Sequence, residues 1–515
     1  MCAQRVAGWA LAVLLLGVPA EGAGGKSPLV EAVRKGDAAQ VRALLKQAQL
    51  VNDAEADGTT ALHLATDRDD LTTADLLLRA GANVKAANRY GVTPLYSAAV
   101  NGNAAMIERL LKAGADANTA LPEGETTLMT AARTGKADAV KLLLAHGANV
   151  NAKEAWKGQT ALMWAVHDGN TDAAQALIAA GANLHDKSRF GFTPLLFAAR
   201  QGQIPAIRLL VSAGASVNDT LPDGTSALVT AIQGVSYEAA GVLLELGANP
   251  DAAGQGWTAL HQVVWSRRPQ RGQNNPGQKP QGNLSSLDLA KKLVAHGANI
   301  NARQMKEPHM DQEGRNSLNR VGATPFLLAA KACDVPLMEV MRDLGADPFL
   351  ATEDGTTPLM VAAGVGIFSQ GENPGTPEEA AEAVKMLLDL GAEVNDVDKN
   401  GDTALHGPSY RGSNEAVMLL VNAGAKLDVR NKRGWRPLTI AEGVFLNARV
   451  QMNHHTAKLL RELMTARGID VFEKDLNFNG ALRDRLVLDD QIEAQSPADV
   501  QKKLLEEQRK KPKQD

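Results

Sequence analysis

"GVTPLYSAAVNGNAAMIERLLKAGADAN", Gly91 to Asn118, holds every part of a two-helix unit. Thr93 can cap a helix, and Pro94 suits its first turn, where a backbone N–H has no intrahelical partner. Leu95, Ala98 and Ala99 supply a small-residue packing face. Asn101 and Gly102 then turn the chain. Ile107, Leu110 and Leu111 recur at helical spacing in a second helix, and Gly114 can take the left-handed conformation that ends it. The polar "ADANTALPEG" leads onward as an extended hairpin finger.

The same unit returns along the chain. Glycines ahead of a Thr-Pro-Leu-like tetrad stand at 58, 91, 124, 158, 191, 224, 256, 322, 355, 401 and 434, mostly 32 to 34 residues apart. An earlier unit, "SPLVEAVRKGDAAQVRALL", brings the total to twelve. One helix pair cannot bury its apolar face alone, whereas stacked neighbours can, so the reading is an all-α repeat solenoid. Composition agrees: 44 % hydrophobic residues exclude wholesale disorder, and only 4 % aromatic residues suit a core of closely packed small side chains.

The tetrads "TALHLA", "TPLYSA", "TTLMTA", "TALMWA", "TPLLFA", "TALHQV", "TPFLLA", "TPLMVA" and "TALHGP", with "GANV", "GADA", "GANL", "GANI" and "GAEV" at second-helix ends, resemble the ankyrin repeat. The resemblance covers residues 27–468, and the N-terminal stretch makes the chain similar to exported bacterial ankyrin repeat proteins. It implies a protein-binding scaffold whose fingers and first helices line a concave groove, without catalysis.

Departures from the period are as informative. The step from Gly256 to Gly322 is 66 residues but contains one tetrad and one terminator, Gly297. One repeat, the eighth, therefore carries two insertions, near 266–283 between its helices and near 303–321 in its finger. Further inter-helix insertions are expected near 366–378 and 445–455, decorating the same rim as 266–283. Pro408, inside the first helix of repeat eleven, should kink or shorten that helix, making the repeat a hinge or weak point. Residues 469–495 read as a C-terminal cap and 496–515 as a charged, disordered tail.

At the N-terminus, Arg5 precedes an apolar run from Val6 to Val18 and then small residues, the pattern of a signal peptide over 1–20. The run is shorter than a membrane span requires. Export to a periplasm or beyond is the expectation, with no stable membrane span after cleavage. Cys2 would leave with the signal, so Cys333 remains without an internal disulfide partner. A net charge of −4 gives no sign of nucleic-acid binding.

Chemical motifs are weak. Ala20–Ser27 has the spacing of a phosphate loop but no strand before it, and signal cleavage would cut it. Asp396, Asp398, Asn400 and Gly401 resemble the start of a calcium loop whose closing acid is replaced by Gly407. Met305, His309 and Met310 could suit copper but read more simply as loop residues, and His454 and His455, being adjacent, point apart. His63, His261 and His406 hold the fourth tetrad position, where the resemblance implies structural hydrogen bonds. Cys333 lies in "AAKACDVP", a setting for a buried small side chain. No catalytic residue, cofactor or metal site is expected.

Rings are so rare that their clustering matters. Trp156, Phe190, Phe192 and Trp257 fall in fingers, and Trp265 ends a first helix; on the ankyrin frame these sites face the groove. Arg189, Arg200, Arg267 and Arg268 accompany them, and Trp with Arg is the usual hot-spot pairing. Trp164, set in "ALMWAV", is expected in the core. The reading is a monomeric, exported scaffold binding a partner protein through these residues across repeats five to eight. Two other classes remain: a small-molecule or metal-responsive binder using the insertions, and an accessory subunit of an exported redox enzyme.

Overall fold

A computed structural model describes residues 27–268, 282–307, 318–367, 375–446 and 449–472. The expected signal segment 1–20, nearly all of the phosphate-loop spacing, His309, Met310, the central parts of three insertions, most of the expected cap and the whole of the expected tail lie outside the described residues. The described chain is helical, with one short hairpin, and divides into two compact bodies. The first holds repeats one to seven, up to Asn249, with 282–283; the second runs from Pro250 and holds repeats eight to twelve.

Repeat three shows how sequence becomes geometry. Its helices are Pro94–Asn101 and Ala104–Lys112. Thr93 Oγ1 accepts the N–H of Tyr96 at 3.2 Å, and Asn103 caps the second helix through Met106. At the far end Gly114 sits at φ 93°, which lets the N–H of Gly114 and of Ala115 reach back to the carbonyls of Leu111 and Leu110. Only a residue without a Cβ adopts that backbone cheaply.

The core of the first body is layered as the small-residue faces require. Ala98, Ala99, Ala131, Ala132, Ala198 and Ala199 from first helices are fully buried, as are Ile107, Leu110, Leu143, Leu177 and Leu210 from second helices. Two ladders tie successive repeats. Asn52, Asn118, Asn151 and Asn218 each accept, through the side chain, a backbone N–H of the next repeat, from Asn83, Asn149, Asn183 and Asn249. Finger tips are joined backbone to backbone, with Arg89 N–H donating to Asp57, Ala155 to Glu123 and Arg189 to Lys157.

In the second body the enlarged finger of repeat eight is closed at its base. Gln304 N–H donates to Ala323 and Gly322 N–H to Gln304, so the extra residues leave and return at one point. The Arg320 guanidinium clasps Glu307 across the opening. In repeat ten, Thr376 and Glu379 form a capping box that starts the helix Pro377–Asp389. The insertion of repeat twelve is an antiparallel hairpin, Val444–Leu446 with Arg449–Gln451, and the helix His454–Ala466 follows it. Val444, Phe445 and Val450 favour extended backbone, a local preference that a purely helical reading overlooks.

Pro408 is accommodated by a delayed start. The first helix of repeat eleven begins at His406 rather than directly after Thr403, placing Pro408 in the first turn, where its missing N–H costs nothing. The helix is shortened. Gly407 permits the close approach that results: a Cβ there would stand 2.6 Å from the carbonyl carbon of Ala363 and 2.7 Å from the nitrogen of Gly364.

Candidate partner-binding surface

The first helices of repeats four, five and six each turn two residues, three apart, toward the fingers: Thr130 with Arg133, Trp164 with His167, and Phe197 with Arg200. Contacts fix this face. Tyr96 Oη donates to Glu125 Oε1 of the neighbouring finger at 3.1 Å, Thr130 Oγ1 donates to the same oxygen at 2.7 Å, and Arg133 approaches it at 3.6 Å. Burial, with the Glu125 carboxylate alongside, pushes the Tyr96 phenol up to about 12, so it remains a donor.

The strip continues through repeats five and six. The Arg133 guanidinium lies 5.4 Å from the centre of the Trp164 ring, and His167 meets Phe197 edge-on at 6.1 Å. Phe192 packs on Phe197 at 5.1 Å, and Arg200 covers Phe192 at 5.5 Å. Trp164, expected in the core, is instead only half-buried on this face. At the finger tips Trp156 is 71 % exposed, Phe190 68 % and Tyr90 55 %. Lys157 Nζ sits 4.4 Å over the Trp156 ring, and Arg89 lies 4.7 Å over Tyr90. Arg189, beside Phe190, is exposed. Thus Trp156, Arg189, Phe190, Phe192 and Arg200 belong to one body, and the structure adds Tyr90, Arg133, Trp164 and His167, with buried Tyr96 and Phe197 packed beneath them.

The four remaining candidates lie in the second body and need correction. Trp257 and Trp265 are 6 % and 5 % exposed, because their rings meet edge-to-face at 5.4 Å and 78°. The Trp257 Nε1–H donates to Gln262 Oε1 at 3.2 Å, completing the closure. Trp265 does occupy the groove-facing helix position, but its nearest ring covers it instead of solvent. Arg267 and Arg268 are likewise committed inward. Arg267 forks onto Asp334, whose side chain is wholly inaccessible, while Arg268 reaches Glu379 at 3.0 Å and the carbonyl of Ala332. These arginines fasten repeat eight to repeats nine and ten rather than standing free at a rim.

Comparison with known proteins agrees with the repeat geometry. The family described as "Ankyrin repeats (3 copies)" matches overlapping stretches from residue 2 to 304 and again over 377–475, and "Ankyrin repeat" matches 354–399. The chain belongs to the ankyrin repeat family. Residues 305–353 lie outside both matches, although Pro325–Lys331 and Val335–Asp343 pair there as ankyrin helices do. Human neurogenic locus notch homolog protein 1 is 34 % identical over 158 residues, 30 % of this chain and 5 % of its own length. Human ankyrin repeat and KH domain-containing protein 1 is 34 % identical over 116 residues, 22 % of this chain and 4 % of its own length. Human ankyrin repeat domain-containing protein 63 is 34 % identical over 123 residues, 23 % of this chain and 30 % of its own length. This chain therefore matches only a small part of each relative. Ankyrin repeats are protein-interaction scaffolds, in keeping with a binding role.

The ankyrin histidines are structural. In His63, His261 and His406, Nδ1 receives the N–H of the tetrad threonine, and Nε2 faces the carbonyl of Val92, Ala323 or Trp435 in the next repeat. Burial pushes His261 down to about 4. Asp398, in the calcium-like stretch, spends one oxygen on the N–H groups of Asn400 and Asp402 and the other on Thr356. Cys333 is buried in the inter-helix turn, not in the helix, at φ 52°. Among the described residues no group of three or more His, Cys, Asp or Glu is placed to hold a metal, and no helix is long and apolar enough to cross a membrane.

Proposed function

We propose that this chain is an exported ankyrin scaffold that binds a partner protein through the face shared by the fingers and first helices of repeats three to six, with no catalysis of its own. The observation that carries this reading is the exposure of Trp156 and Phe190, two large rings on neighbouring finger tips that remain mostly in solvent, Trp156 with only Lys157 laid over it. Rings of this size left in water in an aromatic-poor chain are what a protein interface uses as anchors. Half-buried Trp164 and Phe192 add apolar surface in the same repeats, and exposed Arg189 and Arg200 supply planar donors. Export rests on the apolar run Val6 to Val18 and the small residues behind it.

A photo-crosslinking residue introduced in the producing cells at Trp156, at Phe190 and, as control, at Lys141 on a second helix tests the surface. The expected result is one shared protein captured from the first two positions and not from the third. Capture from Lys141 alone, or no capture anywhere, overturns it.

A further inference from the structure

Between Glu123 and Asp223 on the finger row the unpaired charge is of one sign, although the chain as a whole carries −4. The two fingers that carry Trp156 and Phe190, with the first helices that follow them, Ala161–His167 and Pro194–Gln201, and the Asp168 cap, hold three carboxylates, and each is consumed locally. Glu154 is buried, accepting the N–H groups of Trp156, Lys157 and Gln159. Asp186 pairs with Lys153 at 3.1 Å, and Asp168 lies 2.6 Å from His167. Among the described residues no carboxylate pairs with Lys157, Lys187, Arg189 or Arg200. Three of these cations are exposed and the fourth, Lys157, caps the Trp156 ring. Four unneutralised cations thus share these repeats with Trp156 and Phe190, Lys157 on the Trp156 ring and Arg200 on that of Phe192.

Resting on the reading of this face as a protein-binding surface, we infer that its partner presents a short acidic segment carrying apolar or aromatic side chains. Carboxylates would meet the cations while the apolar side chains cover the rings, so each charge contact forms beside surface that binding dries. A long polyanion fits less well. The basic tips are bounded along the finger row by the exposed carboxylates Glu123 and Asp223, so a nucleic-acid strand following the row would run onto like charge at both ends. A short acidic segment stops before them.

The test uses the full chain and four fluorescent probes: a twelve-residue peptide alternating Glu or Asp with Leu or Phe, the same peptide with Lys at every acid, a single-stranded thymidine oligonucleotide, and vesicles containing anionic lipid. The acidic peptide should bind, weaken at least tenfold when Lys157, Lys187, Arg189 and Arg200 are changed together to Gln, and weaken further as salt is raised. The helical circular dichroism of that variant should match the parent. Equal or tighter binding of the lysine peptide, or an unaffected variant, overturns the inference, as does binding of the oligonucleotide or vesicles in preference to the acidic peptide. If crosslinking from Trp156 and Phe190 still captures one protein, the interface survives and only the chemistry assigned to its partner fails.

Discussion

Arg267 grips Asp334 with two parallel hydrogen bonds, Nε to Oδ2 at 2.7 Å and Nη2 to Oδ1 at 2.9 Å, and the carboxylate is shut off from solvent. Asp334 also caps the helix Val335–Asp343, and Arg267 donates to Ser286 Oγ at 2.6 Å. Removing the arginine leaves the buried carboxylate with only the more distant Arg268, whose Nε is 3.8 Å away, and its helix-capping bond. Arg267→Ala should cost about 3 kcal/mol in the second body, more than Arg268→Ala, whose direct carboxylate partner at 3.0 Å, Glu379, is partly wet. Urea titration of helical circular dichroism measures the difference; equal, small effects would show that the pair contributes little.

Trp257 and Trp156 separate packing from binding. Trp257→Ala opens a cavity under Trp265 and should destabilise by about 3–5 kcal/mol, whereas Trp156→Ala should change stability by less than about 0.5 kcal/mol. Thermal melts of the two variants decide it. A destabilised Trp156 variant would mean that its ring is part of the fold.

Burial of His261 gives stability a pH dependence of fixed sign. Its folded pKa, about 4, lies below the unfolded value of about 6.5, so the unfolded chain takes the proton first as pH falls. The contribution is complete above about 6.5, is lost between 6.5 and 4, and amounts to about 3 kcal/mol. Burial lowers His63 and His406 in the same direction. Denaturant midpoints should fall through this window, and the fall should be shallower in His261→Gln.

At Gly407 a Cβ would press on backbone atoms of Ala363 and Gly364, which cannot swing aside as a side-chain tip could. Gly407→Ala should cost about 1–3 kcal/mol. Ala at 407 without loss of stability would show that repeats ten and eleven slide apart readily.

The repeat itself was legible because its punctuation is local: threonine caps, left-handed glycines and small-residue faces each act within a few residues. The groove residues were only half legible. Helix position tells which way Trp265 points, but not that Trp257 reaches across to cover it. Arg267 and Arg268 find Asp334 and Glu379, 67 and 111 residues further on, and no spacing rule reports such partners. Arg133 and Trp164, by contrast, recur at the same two positions as Arg200 and Phe197, a signal available in the aligned repeats.

The central claim is that Trp156 and Phe190, on the fingers that lead into repeats five and six, anchor a partner protein. Its most direct test is the affinity of the protein captured from Trp156 and Phe190 for the parent chain and for Trp156→Ala/Phe190→Ala. Hot-spot loss should weaken Kd by about a hundredfold while the melting curve stays unchanged. An unchanged Kd with the fold intact would contradict the account.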